Sequence, residues 1–260
     1  MKTFTLSRAK LQVCLDPDDL SACLAERLVL IADQAVQESG RFSLALSGGS
    51  TPKKLYSLLA QPGYRQRIPW AKTHLFWGDE RCVPHDSPDS NYRMVRDALL
   101  SKVNLPPENI HATSAQDTDP ARSAELYEQE LKSFFELENG LFPSFDLILL
   151  GLGADGHTAS LFPGSTAVAE RKRMVVANYV ERLQSYRLTF TLPVLNQAKN
   201  VIFMVAGKDK QEILPLVLKG RPDTYPSQLV MPVSGVLEWY VDAAAVQKID
   251  LEQLVEAGAK

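Results

Sequence analysis

Short apolar runs alternate with longer segments of helical periodicity along most of this chain. Residues 42–46 (FSLAL) form a largely apolar run of strand length, whereas Leu20, Leu24, Leu28 and Ile31 recur at helical spacing. Further strands are predicted at residues 11–15, 73–77, 146–150, 174–179, 187–192 and 200–205. Because strands and helices alternate, we predict an α/β fold with a mostly parallel sheet that is covered by helices on both faces.

Capping residues mark the ends of the predicted helices. Asp16-Pro17 starts the first helix, since Asp caps free N–H groups and Pro fits the first turn, and Gly40 ends it. Ser90 is predicted to cap a later helix that runs to about residue 99. We find no internal repeat, low-complexity segment or linker, so we predict a single Rossmann-like domain over residues 1–260.

The predicted strand at residues 146–150 ends in a glycine-rich loop that carries an acid and an imidazole. The loop reads Gly151-Leu-Gly153-Ala-Asp155-Gly156-His157. Histidine is the side chain whose free pKa lies nearest neutrality, and open α/β sheets bind ligands at the carboxyl ends of their strands. We therefore predict a catalytic role for His157 beside Asp155, in preference to a polar loop without function.

The same loop spells G-x-G-x-x-G, the fingerprint of dinucleotide-binding folds. That fingerprint requires a long helix that starts at the third glycine. Phe162-Pro163-Gly164 would break such a helix after little more than one turn. We therefore expect no dinucleotide at this loop.

A second glycine-rich turn, residues 47–52 (SGGSTP), joins the strand at 42–46 to the next helix. Free backbone N–H groups and the helix dipole favour an anion there, and Ser50 and Thr51 add hydroxyl donors. The G-K-[ST] ending of a Walker P-loop is missing, and Pro52 replaces the last glycine of a G-x-S-x-G nucleophile elbow. We interpret the turn as a phosphate cradle, with a plain capped turn as the alternative.

Charged residues follow the strand at 73–77, in the sequence Gly78-Asp79-Glu80-Arg81. They could form a solvated loop, or they could form the rim of an active site, since loops at strand ends carry function. The residues alone leave both interpretations open.

Composition limits the classes of partner. The 260 residues are 45% hydrophobic and 23% charged, with a formal net charge of −3, which is ordinary for a globular protein. There is no basic stripe and no apolar run of membrane-spanning length, so we expect neither nucleic acid nor a membrane as partner. The N-terminus lacks the apolar core of a signal peptide, and Cys14, Cys23 and Cys82 include no C-x-x-C. We expect reduced thiols in a cytoplasmic protein, with Cys14 and Cys23 filling the core.

Three segments together resemble the 6-phosphogluconolactonases: residues 46–52 (LSGGSTP), 77–81 (WGDER) and 151–160 (GLGADGHTAS). Residues 187–196 (RLTFTLPVLN) and the turn at 207–210 (GKDK) are also similar to that family. The resemblance runs in the same order over most of the chain, and it implies a NagB/RpiA-like fold.

Two alternatives share this fold. The glucosamine-6-phosphate deaminases have the glycine-rich turn, an Asp after the third strand and a D-G-H loop, but they continue after the His with an Ile-Ala-Phe-Asn type of sequence. Here His157 is followed by Thr158-Ala159-Ser160, the lactonase form. A sugar-phosphate sensor would need an output module such as a basic helix-turn-helix, and this chain has neither the length nor the charge for one.

The resemblance implies hydrolysis of 6-phospho-D-glucono-1,5-lactone to 6-phospho-D-gluconate, in the oxidative pentose phosphate pathway. His157 is then expected to serve as base for the attacking water and as acid for the leaving ring oxygen. Asp155 or Asp79 is expected to orient the imidazole, and Arg81 to stabilise charge on the carbonyl oxygen.

The resemblance places the substrate phosphate on Gly48, Gly49, Ser50, Thr51, Arg187 and Lys210. Arginine suits two-point recognition of phosphate, and the stretch before residue 187 leaves open whether Arg182 or Arg187 faces it. The expected partner is a small-molecule sugar-phosphate lactone. We expect no cofactor and no metal in this reaction, and a monomer or weak homo-oligomer.

Overall fold

The computed structural model describes residues 1–113, 119–219 and 224–258. The strands are β1 Lys2–Thr5, β2 Lys10–Cys14, β3 Phe42–Leu46, β4 Thr73–Trp77, β5 Asp79–Arg81, β6 Ile110–His111, β7 Leu147–Gly151, β8 Val175–Val180, β9 Ser185–Phe190, β10 Asn200–Val205 and β11 Val236–Asp242. The α-helices are α1 Pro17–Ser39, α2 Ser50–Leu59, α3 Pro62–Arg65, α4 Asn91–Ala98, α5 Pro120–Phe134, α6 Thr166–Ala169, α7 Leu192–Gln197, α8 Ile213–Lys219 and α9 Leu251–Gly258.

The main sheet is mostly parallel, with strand order β1-β2-β11-β10-β7-β3-β4-β6. Only the β1–β2 pair at its edge is antiparallel among the described pairs. Along β7, Leu147 and Leu149 join one buried cluster with α1, α2 and α4, whereas Ile148 and Leu150 join another with α5, α7 and α8. The predicted parallel sheet with helices on both faces is therefore confirmed, and its central strand is apolar because both faces are covered.

The order of the strands reverses between β3 and β7. From β3 the chain passes through α2 to β4 on one side, and from β7 it proceeds to β10 on the other side. The two connections diverge at the carboxyl ends of these neighbouring strands. Such a switch point opens the crevice in which α/β sheets bind ligands.

A small antiparallel sheet, β5-β9-β8, stands beside this crevice. The sequence predicts strands at 174–179 and 187–192, and the structure has β8 and β9 there. They pair with each other, and β9 also pairs with β5, so neither joins the parallel sheet. A tight turn makes this hairpin, with Gln184 at a φ of 47°. The solvated-loop alternative for residues 79–81 is wrong, because these residues form β5 and Glu80 is only 1% exposed.

The predicted helix ends are confirmed where capping residues mark them. The Asp16 carboxylate accepts from the N–H groups of Asp18 and Asp19 at 2.8 and 2.9 Å, and Gly40 ends α1 with a φ of 77°. Ser90 caps α4 by accepting from the Arg93 N–H at 3.1 Å. These signals are local hydrogen bonds, so the sequence alone predicts them well.

Candidate active site

The loop after β7 folds back so that His157 lies against its glycines. The Gly153 N–H donates to the His157 carbonyl at 2.9 Å, and the Gly156 N–H donates to the Gly153 carbonyl at 3.0 Å. A Cβ on Gly153 would lie 2.0 Å from His157 Nδ1, and Gly156 has a φ of 78°, a conformation that favours glycine. The next helix, α6, has only 4 residues. The glycines thus position the imidazole, and within the described residues no long helix starts at the third glycine.

His157 and Asp155 form a hydrogen-bonded pair on this loop. Asp155 Oδ1 accepts from His157 Nδ1. Because an ionised carboxylate can only accept, Nδ1 carries the proton and Nε2 is the nitrogen left for a ligand. The imidazole also stacks on Phe162, with ring centroids 4.3 Å apart. Its side chain keeps 27% of its surface exposed, so two neighbours fix the ring while it stays reachable.

Arg182 holds the other oxygen of Asp155. Its Nη2 lies 2.8 Å from Asp155 Oδ2, and its guanidinium lies 4.9 Å from the centroid of the Phe162 ring. Burial raises the pKa of the Asp155 carboxyl, but the hydrogen bond and charge of His157, with the charge of Arg182, outweigh burial and leave that pKa lowered. Asp155 is therefore an ionised group held from two sides, and it is the acid that contacts His157.

Asp79 belongs to a different hydrogen-bond network. The Asp79 side chain is buried, and its Oδ2 accepts from Ser160 Oγ at 2.7 Å. Ser160 is itself held, because its N–H donates to Thr189 Oγ1 at 3.1 Å and its carbonyl accepts from Asn178 Nδ2 at 2.8 Å. Thr189 and Asn178 come from β9 and β8, so the small sheet positions Asp79 through Ser160.

Two arginines lie side by side on the small sheet. Arg81 of β5 and Arg187 of β9 are paired directly in the antiparallel register. Within the described residues, the buried Nε atoms of both have no hydrogen-bond partner. Burial first, and then the charge of Arg81, lower the pKa of Arg187. Adjacent guanidinium groups with free donors suit an anion, and Arg187 offers such a donor whereas Arg182 is engaged by Asp155.

The glycines of the turn after β3 allow a close approach of α4. Gly49 caps α2 with a φ of 111°. A Cβ on Gly48 would lie 2.0 Å from Asn91 Oδ1. The Asn91 side chain also donates from Nδ2 to the Asp79 carbonyl at 2.9 Å. Asn91 therefore joins the predicted phosphate cradle to the strand that carries Asp79.

The hydroxyl groups of Ser47, Ser50 and Thr51 lie at different positions relative to the cavity. Ser47 Oγ is buried, lines the cavity and has no hydrogen-bond partner among the residues described. Tyr56 holds the backbone of Ser47, since its hydroxyl bridges the Ser47 N–H at 3.1 Å and the Ser47 carbonyl at 3.0 Å. Ser50 and Thr51 form the first turn of α2 and are outside the cavity lining, as far as the described chain extends.

Glu80 anchors α4 against β5. Its Oε1 accepts from the Asn91 N–H at 2.8 Å, and its Oε2 accepts from the Tyr92 N–H at 2.7 Å and from Ser90 Oγ at 3.2 Å. Burial raises the pKa of Glu80 in spite of these hydrogen bonds. An acid at a helix N-terminus complements the helix dipole, so Glu80 fixes the helix start that presents Asn91.

Lys210 reaches the cavity from the turn after β10. Gly207 begins this turn with a φ of 102°, and its N–H donates to both carboxylate oxygens of Asp242 at 3.1 Å. Lys210 Nζ lies 2.9 Å from Asp209 Oδ2, on a side chain that is 21% exposed. Lys208 is outside the cavity lining in the described part of the chain.

These side chains line one cavity of about 490 Å³ at the carboxyl ends of the central strands. The predicted residues that line it are Gly48, Gly49, Asp79, Arg81, Asp155, His157, Arg187 and Lys210. Its size lies in the usual range for small-molecule pockets. The structure therefore brings together segments that are far apart in the sequence.

Several residues that line this cavity have no functional role predicted from the sequence: Ser47, Asn91, Ser160 and Phe162. Ser47, Ser160 and Phe162 lie within or beside the quoted motifs, and each also contacts a residue outside its own motif: Tyr56, Asp79 and Arg182 respectively. Asn91 had one local signal, since it follows the helix cap Ser90 at the start of α4.

Residues 15–239 match the sequence profile of the family described as glucosamine-6-phosphate isomerases/6-phosphogluconolactonase. The chain belongs to this family. A 6-phosphogluconolactonase from Nostoc sp. is 47% identical over 232 residues, which are 87% of this chain and 94% of the relative. One from Synechocystis sp. is 45% identical over 87% of this chain and 91% of the relative.

Solved structures agree with this family membership. The structure of 6-phosphogluconolactonase from Trypanosoma brucei superposes with a TM-score of 0.83, covering 94% of this chain and 100% of that chain at 30% identity. The family resemblance that was inferred from three short motifs is thereby confirmed, and so is the α/β fold that it implies.

Proposed function

We propose that this family member hydrolyses 6-phospho-D-glucono-1,5-lactone to 6-phospho-D-gluconate, the second step of the oxidative pentose phosphate pathway. One observation carries the proposal. A single cavity contains the His157–Asp155 pair and also the Nε atoms of Arg81 and Arg187, which have no hydrogen-bond partner among the described residues. The pair can transfer protons at an ester, and the arginines can hold an anion. The Nostoc and Synechocystis relatives are named for this activity.

His157 is the proton-transfer group of the proposed mechanism. With Nδ1 donating to Asp155, Nε2 accepts a proton from water as the water oxygen attacks the lactone carbonyl carbon. The tetrahedral intermediate then breaks its bond to the ring oxygen, and Nε2 returns the proton to that oxygen. Asp155 stabilises the imidazolium that exists between the two transfers.

The cations have separate tasks in this proposal. Arg81 stabilises the negative charge on the carbonyl oxygen of the intermediate, as an oxyanion-hole donor does. Arg187 and Lys210 bind the 6-phosphate, together with the turn at Gly48 and Gly49. Ser50 and Thr51 remain part of this proposal through the N–H groups at the start of α2, which no side chain caps among the described residues. Holding the phosphate fixes the carbonyl beside His157, which lowers the entropy cost of the reaction.

Arg182 is a positioning residue in the same proposal. It contacts Asp155 at 2.8 Å and lies over Phe162, the ring on which His157 stacks. A carboxylate bound on both oxygens keeps a single orientation, and that orientation sets the imidazole.

Deamination of glucosamine 6-phosphate is the alternative reaction for this fold. In that reading an Asp moves a proton at a carbon of an open-chain sugar. Here the Asp79 carboxylate accepts from Ser160, and Ser160 belongs to the Thr-Ala-Ser sequence of the lactonase form. This pairing favours hydrolysis of a lactone.

A coupled assay tests the proposed function. Freshly made 6-phosphogluconolactone is mixed with the protein, and NADPH production by excess 6-phosphogluconate dehydrogenase is compared with the spontaneous rate. We expect a large acceleration and no ammonia from glucosamine 6-phosphate. A rate equal to the spontaneous one, or release of ammonia, would overturn the proposal.

We also propose one domain over residues 1–260, working in the cytoplasm as a monomer or weak homo-oligomer on a small-molecule lactone. Residues of the main sheet and of β8 and β9 share one buried cluster, which supports a single domain.

The cysteines are free thiols, as in reducing compartments. Among the helices within the described ranges, none has the length and apolar character needed to cross a membrane. Sedimentation velocity of the purified chain measures the state of assembly.

A further inference from the structure

Three side chains of metal-ligating type meet where β2 leads into α1. Cys14 ends β2, whereas Asp19 and Cys23 lie on the first two turns of α1. Their ligand atoms, two Sγ atoms and a carboxylate oxygen, all lie within 4.8 Å of one another. The reversal of the chain at Asp16-Pro17 turns the helix back over the strand end, so the cluster follows from the helix cap.

We propose that Cys14, Cys23 and Asp19 form a binding site for a thiophilic divalent cation of the Zn²⁺ class. Ligands bonded at roughly 2.3 Å to a tetrahedral zinc lie about 3.8 Å from one another. Cys23 Sγ already lies 3.6 Å from Asp19 Oδ1, and the other separations fall within the same 4.8 Å limit. Small side-chain movements therefore suffice to close the three ligands around one ion.

The carboxylate of Asp19 is oriented for this task. Its Oδ2 accepts from the Leu15 N–H at 2.8 Å, which leaves Oδ1 on the side of Cys23. Outer hydrogen bonds of this kind fix the direction of a metal ligand. The Cys14–Cys23 pair, interpreted from the sequence as core filling, thus has a third ligand held in place.

Burial determines the side from which an ion enters the site, and the ligand atoms determine which type of ion binds. Cys14 is 1% exposed, whereas Cys23 and Asp19 are half-buried, so an ion enters from the α1 side. Three protein ligands leave the fourth tetrahedral position for water or a small ligand. Two thiolates and one carboxylate favour Zn²⁺ over Mg²⁺ or Ca²⁺, which prefer oxygen ligands.

The site is separate from the candidate active site. Its residues are outside the cavity lining wherever the chain is described, and β11 and β10 stand between β2 and β7 in the sheet. Metal binding is therefore measured directly, with no need for turnover.

Titration with Co²⁺ tests the proposal on the full chain, with the thiols reduced by a phosphine. We expect thiolate-to-cobalt charge transfer and tetrahedral d–d absorption that saturate at one equivalent, and displacement by Zn²⁺ but not by Mg²⁺. Because a cysteine binds metal as its thiolate, binding should also release protons.

Variants identify the ligands. Cys14→Ser and Cys23→Ser should abolish the spectrum, and Asp19→Asn should weaken binding by about tenfold or more. Cys82→Ser is the matched control and should keep the spectrum, because Cys82 lies outside the cluster. Circular dichroism checks each fold, and half-buried Cys23 keeps the test valid if Cys14→Ser does not fold. No spectrum at one equivalent, or a spectrum that survives Cys23→Ser, would overturn the proposal.

Discussion

Asp155 shows at the residue scale how two contacts determine one charge. His157 and Arg182 bind its two oxygens, and both favour the ionised form over the protonated one. The same contacts that orient the imidazole should therefore stabilise the folded protein in a pH-dependent way.

We expect the stability difference between wild type and Asp155→Asn to shrink in acid. The folded pKa of Asp155 is lowered from its ordinary value of 3.8. The carboxylate therefore adds stability that is fully present above that value and is lost as the pH falls through the lower folded pKa. Urea unfolding of both proteins between neutral pH and acid measures this. A difference that grows as the pH falls would contradict the prediction.

Lys210 should matter for substrate binding. Replacing it by Met removes a cation from the cavity wall, so we expect KM to rise by about tenfold or more with kcat nearly unchanged. Lys208→Met is the matched control, because Lys208 lies two residues away and outside the cavity lining, within the residues described. Equal KM values for the two variants would show that Lys210 does not bind the phosphate.

Local sequence signals identified some of these residues but could not assign their partners. His157 and Asp155 stand out between glycines after an apolar strand, and the structure pairs them. The proposal that Arg187 and not Arg182 binds the phosphate depends on strand pairing, because the register of β5 and β9 puts Arg187 beside Arg81. A side chain's partners are set by tertiary structure, so residue type and spacing alone left that choice open.

At the scale of elements, the loop after β7 depends on a glycine that makes room for the imidazole. Gly153→Ala would place a Cβ 2.0 Å from His157 Nδ1. We expect kcat to fall by about 10²-fold or more, because small displacements of a reacting group are costly. Gly63→Ala is the control, since an added Cβ there meets nothing within 4 Å. Gly153→Ala with wild-type kcat would contradict this role for the glycine.

The elements themselves were predictable where both faces are buried or a cap is present. β3, β4 and β10 lie at the predicted residues, and α1 starts and ends at its predicted caps. In the small sheet, β5 was harder to predict than β8 and β9, since it has only 3 residues and carries three charges. Its pairing with β9 satisfies the backbone of residues that look like a loop in the sequence.

At the scale of the whole molecule, the far edge of the main sheet carries a half-buried histidine. His74 Nδ1 lies 3.1 Å from His111 Nε2, and His111 Nδ1 lies 2.6 Å from Glu130 Oε1. Burial first, and then the charges of His111 and Arg41, lower the pKa of His74 from 6.5 to about 4. At a pH between these two values, His74 is therefore mostly neutral in the folded protein and mostly protonated in the unfolded chain.

We expect this histidine to make the molecule lose stability in mild acid. Between pH 6.5 and about 4 the unfolded chain binds more protons at His74 than the folded protein does, so the free energy of unfolding falls as the pH falls. His74→Gln should remove that part of the slope. Urea unfolding at several pH values measures it, and an unchanged slope would contradict the assignment.

The crevice follows from strand order, which could be predicted only in outline. Alternating strands and helices predicted a parallel sheet, but the neighbours of β7 depend on which way each connection crosses. The structure puts the turn after β3 and the loop after β7 on adjacent strands, and the pairing of β10 with β7 brings Lys210 to the same end. Pairing between strands that are far apart in the sequence thus brings together the segments that each motif indicates separately.

The kinetics of His157→Gln test the central claim most directly, with His85→Gln as a matched control outside the cavity lining in the described chain. In the coupled lactone assay, we expect kcat of His157→Gln to fall by about 10²- to 10⁴-fold with little change in KM, because general acid–base catalysis acts in the transition state. His85→Gln should retain wild-type kinetics. A His157→Gln variant with wild-type kcat would contradict the account.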